Sequence, residues 1–251
     1  MGTHTQTTTV GSNGTWTVTF PTTQIERGEY EIPFTVTATD RLGNDTVLND
    51  VLVVDTVPHP VAFNAVTADN VINGSEASSG FQVSGTSTAG ATLTVMIGTA
   101  SQTVTVRQDG TWTANFAAGT VAAGEYDATV RATTVDAAGN PPTATHSFRV
   151  DTSTSVAFAP AMVEVDNTIN AREAQDGFVL TGTTQPGNTV QVVWNNTTLP
   201  ATVATDGSWT VTFPASAVAA GTYGASATVT ATDAAGNTAT ATRSINVDTE
   251  T

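Results

Sequence analysis

The chain contains no cysteine, which excludes disulfides, thiolate chemistry and cysteine-ligated metals. It contains no lysine either: seven arginines face 22 acidic residues, for a formal net charge of −15. A surface this negative repels phosphate backbones, so nucleic acid is not an expected partner. It suits a chain that binds divalent cations, and it also suits plain solubility. No stretch approaches the roughly 20 apolar residues of a membrane span, so membrane insertion is not expected. No signal peptide is visible, because Met1-Gly2-Thr3-His4 runs straight into a Thr-rich strand pattern.

What is present is a repeat. Asp109-Gly110-Thr111-Trp112, Ala123-Gly124-Glu125-Tyr126, Asp136-Ala137-Ala138-Gly139-Asn140 and Val150-Asp151-Thr152 form one series. Upstream the series reads Asn13-Gly14-Thr15-Trp16, Gly28-Glu29-Tyr30, Asp40 to Asn44 and Val54-Asp55-Thr56. Downstream it reads Asp206-Gly207-Ser208-Trp209, Gly221-Thr222-Tyr223, Asp233 to Asn237 and Val247-Asp248-Thr249. The tryptophans are 96 and 97 residues apart, as are the closing aspartates, which marks a tandem array. A unit of this size matches an immunoglobulin-like sandwich and buries a core without staples. The units divide as 1–55, 56–151 and 152–251. Met1 aligns with Ile97, so 1–55 reads as the C-terminal half of a unit and the chain as an excerpt of something longer.

Thr and Val alternate at period two between closely spaced Gly, Asn and Asp, the pattern of short antiparallel strands. The expected fold class is all-β: tandem seven-stranded immunoglobulin-like β-sandwiches arranged as an extended rod. In the second repeat, strand A is placed near 61–66, B near 81–87 and C near 92–97. D is placed near 102–107, E near 111–116, F near 128–135 and G near 143–150. The third repeat follows the same plan and the first has only D to G. That half unit would expose the face bearing Trp16 and Phe20, so it is expected to fray or to be completed by another chain. Asn13-Gly14, Asp109-Gly110 and Asp206-Gly207 predict type I′ hairpins joining D to E. Trp16, Trp112 and Trp209, with Phe20, Phe116 and Phe213 four residues on, should face the core of a complete unit. Tyr30, Tyr126 and Tyr223 stand where a tyrosine corner would form. Short linkers, 55–60 stiffened by two prolines and 151–155, predict a rod with little bending, monomeric and partnered by its own neighbouring repeats.

In this topology the A–B loop lies beside the exit of strand G, and the F–G loop faces the preceding repeat. Asp69, Asn73, Glu76 and Asp151 therefore meet Asp233 and Asn237 at one junction. The other junction has Asp55, Asp136 and Asn140. Asp166, Asn170, Glu173 and Asp248 repeat the set at the far end of the third unit. Clustered hard oxygens are what Ca²⁺ takes, six to eight at roughly 2.3–2.6 Å. Local readings stand beside this one: Asn73-x-x-Glu76 and Asn170-x-x-Glu173 have capping-box spacing, and Asp-Ala-Ala-Gly-Asn is turn chemistry, with Gly-Asn left-handed. No enzyme and no small-molecule substrate are expected. His4, His59 and His146 do not recur between repeats, and no catalytic motif is present.

The strings Asp69-Asn70-Val71-Ile72-Asn73, Gly110-Thr111-Trp112, Asp136 to Asn140 and Val150-Asp151-Thr152 resemble the bacterial Ig-like repeats of giant surface adhesins. These are the biofilm-associated and type I-secreted (RTX-type) adhesins. The resemblance is complete over 56–151 and 152–251 and partial over 1–55. It implies an extracellular, cell-surface extender serving cell adhesion and biofilm formation, with Ca²⁺ rigidifying the domain junctions. Matched by position, the acidic junction residues it implies are Asp69, Glu76, Asp136, Asp151, Asp166, Glu173, Asp233 and Asp248. The extra residue in Ala132 to Asp136, against Thr230 to Asp233, predicts a bulge. The alternative function is a module that itself recognises a glycan, ice or a host protein. Trp194 is its one candidate, and Trp194 is expected to be core.

Overall fold

A computed structural model describes residues 4–134 and 136–250, which are almost entirely strand and turn. The first repeat contributes one antiparallel hairpin, β1 (Glu29–Thr39) with β2 (Asp45–Asp55). These are the predicted F and G. The predicted D and E do not form strands there: residues 4–28 hold turns and a 3-10 segment, Thr22–Gln24. In a complete repeat strand E is laddered to strand B, and among the described residues of the first repeat no strand B is present to receive it. Trp16 and Phe20 consequently stay 45% and 44% exposed.

The second repeat runs β3 (Val61–Phe63), β4 (Val71–Ile72), β5 (Phe81–Ser87) and β6 (Thr92–Ile97). It continues with β7 (Ala100–Thr105), β8 (Thr111–Phe116), β9 (Glu125–Thr134) and β10 (Thr143–Asp151). One sheet is β3-β5-β8 and the other is β4-β10-β9-β6-β7. Two expectations are corrected. Strand A is split: β3 pairs antiparallel with β5, and β4 then crosses to pair parallel with β10. Predicted strand D, as β7, pairs with β6 and not with β8. The predicted end of strand F, and the bulge beside it, fall on Val135, outside the described residues.

The third repeat has β11 (Val156–Phe158), β12 (Thr168–Asn170), β13 (Phe178–Thr184), β14 (Thr189–Trp194) and β15 (Thr197–Pro200). After them come β16 (Thr202–Val203), β17 (Ser208–Phe213), β18 (Thr222–Thr232) and β19 (Thr238–Asp248). Its sheets are β11-β13-β17-β16 and β12-β19-β18-β14-β15. The chain changes sheets after Pro200, which has no N–H to continue the ladder.

The turn before β8 is one residue longer than a two-residue type I′ hairpin. Gly110 N–H donates to Arg107 O and Arg107 N–H to Thr111 O, and among these residues only Gly110 has positive φ, 80°. This is a type I turn closed by a left-handed glycine. The Asp109 carboxylate is engaged by Thr111 N–H and hydroxyl, an Asx-turn that keeps Asp109 itself out of the left-handed region.

Alternation puts one side of each inner strand into the core, as expected. Trp112, Phe116, Trp209 and Phe213 are all buried, and Phe63 and Phe158 meet the two tryptophans edge-on at 5.4 and 5.5 Å. Trp194 is core, with its indole N–H donating to Ala217 O at 3.2 Å. Tyr30, Tyr126 and Tyr223 donate to Glu26 O, Ala122 O and Ala219 O at 2.9, 3.0 and 3.1 Å, so all three corners are made.

Candidate functional site

Each F–G hairpin ends in an Asp-x-x-Gly-Asn loop that closes on itself. Asn237 donates its N–H to Asp233 Oδ1 at 2.8 Å and its side-chain Nδ2 to Asp233 Oδ2 at 2.9 Å. Asn140 does the same to Asp136, and Asn44 to Asp40. Within each loop only the glycine is left-handed, so the expectation that Gly and Asn both would be is corrected: the aspartate already holds the Asn backbone and side chain. The Asn44 side chain bonds Asp40 alone among the described residues, so this geometry belongs to the loop and not to any neighbour.

One Nδ2 hydrogen remains, and it reaches the preceding repeat. Asn237 Nδ2 approaches Asp151 O at 2.8 Å and Asp151 Oδ1 at 3.3 Å, where β10 ends. Asn140 Nδ2 approaches Asp55 O at 3.2 Å and Asp55 Oδ1 at 3.4 Å, where β2 ends. At the later seam the A–B loop joins in. Gly74 N–H donates to Asn237 Oδ1 at 2.7 Å, and Asn73 Nδ2 donates to Ala235 O at 3.2 Å. A Cβ on Gly74 would lie 2.6 Å from Thr152 O, so the close approach needs glycine.

Asn73 also starts α1 (Gly74–Ser79), the one α-helix among the described residues, forming a reciprocal capping box with Glu76 at 3.0 Å each way. Asn170 and Glu173 make the same reciprocal pair. Asp69 Oδ1 accepts from Thr67 Oγ1 and Val71 N–H, and Asp166 Oδ1 accepts from Thr168 N–H, each inside its own exposed loop. Asp248 accepts from Thr222 Oγ1. The structure thus brings Asp151, Asp233, Asn237 and Asn73 to one seam and Asp55, Asp136 and Asn140 to the other. The bonds of Asp69, Asp166, Asn170, Glu173 and Asp248 are made within their own repeat.

Several junction residues were not visible from sequence. Gln185 Nε2 donates across the seam to Glu125 Oε1 at 3.0 Å, and Thr154 Oγ1 donates to Gln185 Oε1 at 2.8 Å. Asn188 Nδ2 holds Thr154 Oγ1 at 2.6 Å. Gly124 N–H donates to Thr152 Oγ1, an exit clamp repeated at Thr56 with Gly28 and at Thr249 with Gly221. The threonine after each closing aspartate was the signal for that last feature.

The seams differ electrostatically. At the later one, burial raises the Asp151 carboxyl above its ordinary value; Asp233 and Glu125 add to this, against Ser153 N–H and Arg149. At the earlier one, burial also pushes Asp136 up, but the Asn140 side-chain and backbone hydrogen bonds, Ala138 N–H and nearby His59 outweigh it and leave Asp136 below the ordinary value.

These residues do not fit a calcium ion in this arrangement. Asp151 O, Asp151 Oδ1 and Asp233 Oδ2 converge on an amide nitrogen, where calcium would need six to eight oxygens at roughly 2.3–2.6 Å. Among the described residues no group of three or more His, Asp or Glu side chains is gathered to hold a metal.

The family profile of the bacterial Ig-like domain matches residues 64–152 and 161–249. A solved structure from work on host cell surface retention of a 1.5-MDa bacterial ice-binding adhesin is 30% identical, covering 88% of this chain and 75% of that one, with a TM-score of 0.52. A second, from a Ca²⁺-stabilized adhesin that helps an Antarctic bacterium reach out and bind ice, is 34% identical over 97% of this chain, with a TM-score of 0.51. This chain spans 62% of that structure's length. No curated protein sequence matches.

Proposed function

Because this chain belongs to the bacterial Ig-like domain family, we propose that it is a stalk segment, an extender, of a bacterial cell-surface adhesin. Its parent would be secreted to the cell surface, by a type I route, and would serve cell adhesion and biofilm formation. The observation that carries this reading is the end-to-end contact: the F–G loop of one repeat grips the exit strand of the repeat before it. With the units divided as 1–55, 56–151 and 152–251, a loop at one pole and an exit strand at the other stack repeats into a rod. No catalytic role is proposed.

A calcium-stiffened junction is a second reading. It is suggested by the related Antarctic adhesin, which is Ca²⁺-stabilized, and by the crowding of Asp151 against Asp233, and it would require Asn237 Nδ2 to leave both carboxylates. The ligand-module alternative loses its one candidate, since Trp194 is buried. Small-angle scattering of the full monomeric chain tests the stalk. An elongated profile is expected, and the two complete repeats folded side by side would overturn it.

A further inference from the structure

We propose that the side-chain amide of Asn237, and not a metal ion, is the group that joins the second and third repeats, so that this seam stays stiff when calcium is removed. The inference rests on the stalk reading only for the purpose that stiffness serves. Its basis is how fully Asn237 is used at a position 9% exposed. Nδ2 gives hydrogens to the main-chain carbonyl and carboxylate of Asp151 and to the carboxylate of Asp233. Oδ1 takes the Gly74 N–H at 2.7 Å.

That last bond decides the orientation. Turning the amide over would aim oxygen at two carboxylates and nitrogen at another N–H, making every contact repulsive. A cation between Asp151 and Asp233 would therefore have to evict Nδ2, and it could not recruit Oδ1 without leaving Gly74 N–H unsatisfied. A neutral donor also answers the crowding of the two carboxylates, because charge-assisted hydrogen bonds to ionised oxygen are the strong ones. The loop needs no partner to take this shape, as Asn44 and Asp40 show, so docking orders little that was not already ordered.

Without native cysteine, the full chain can be labelled at Gln102→Cys and Thr210→Cys, one exposed site in each repeat. Pulsed dipolar spectroscopy then reads the spread of inter-repeat distances in Ca²⁺ and in EDTA. With Asn237 intact the spread is expected to be equally narrow in both. With Asn237→Asp, a third carboxylate faces the other two, and the spread in EDTA is expected to be roughly twofold wider; that loss supports the clasp whether or not Ca²⁺ restores order. A native seam that widens in EDTA and narrows in Ca²⁺ overturns the clasp and leaves the stalk standing. A native seam wide in both media overturns the stiff stalk itself. Asn237→Asp staying narrow in EDTA also overturns the clasp, and if that variant fails to fold the native comparison decides alone.

Discussion

The two seams share a motif and differ in what surrounds it. Both set an asparagine amide against an exit aspartate, yet the Asn140 contacts, 3.2 and 3.4 Å, are longer than the 2.8 and 3.3 Å of Asn237. At the later seam the A–B loop of the second repeat supplies Asn73 and Gly74, and Gln185 ties Glu125 from the side. Among the described residues no A–B loop of the first repeat reaches the earlier seam, and where the later linker offers Thr154 the earlier one has Pro58-His59-Pro60. Five residues separate β2 from β3, against four between β10 and β11. The repeated residues aim the loop, and the residues around it decide how firmly it is held.

The largest expected effect comes from removing the two amides in turn. Asn237→Ala should cost about 3 kcal/mol, because it strips hydrogen bonds from two carboxylates and strands Gly74 N–H, whereas Asn140→Ala should cost about 1 kcal/mol. Urea unfolding followed by the buried tryptophans of the second and third repeats measures both, and equal losses would erase the distinction between the seams.

Gly74→Ala comes next. The added methyl meets Thr152 O, and the seam should lose about 1–2 kcal/mol although alanine is the better helix former. In the Asn237→Ala background the Thr152 O contact persists but the Asn237 Oδ1 contact at 3.2 Å is gone, so the same change should cost less there, and full additivity in the double-mutant cycle would break the link between these residues.

Acid should separate the seams by sign. The raised Asp151 contributes stability below its unfolded value, lost as pH rises through its folded one. The lowered Asp136 contributes stability above its unfolded value, lost as pH falls through its folded one. Falling from neutral toward the ordinary 3.8, the later seam should therefore gain while the earlier one holds, and below that the earlier one should weaken. Carbon-detected NMR titration of the two carboxyls checks this directly; a shared midpoint would contradict it. The smallest effect belongs to Gln185→Ala, about 0.5 kcal/mol, since its bond to Glu125 is exposed. A loss as large as that of Asn237→Ala would show that the side contact, not the amide, carries the seam.

Much of this was legible beforehand for local reasons. Period-two alternation put Trp112 and Phe116 on one face, and a glycine two residues before each tyrosine marked the corners. Asn73 with Glu76 read both as a capping box and as a seam residue, and Asn73 is both: its Oδ1 caps α1 while its Nδ2 crosses to Ala235. Strand D pairs as expected with E in the third repeat, through β16 and β17, but not in the second, because pairing partners are a property of the sheet: β7 alternates just as well beside β6 as beside β8. Gln185 and Glu125 could not be paired, since 60 residues separate them and the counterpart of Gln185 in the second repeat is Thr88.

By itself the sequence determined the repeat, the sandwich class and the loop that closes on its own aspartate, because spacing, alternation and Asx-turns act over a few residues. Only the tertiary structure decided which oxygens meet at the seam and that an amide stands between them. Those distances depend on how two separately folded units abut, and a difference of half an ångström separates a hydrogen bond from a metal ligand.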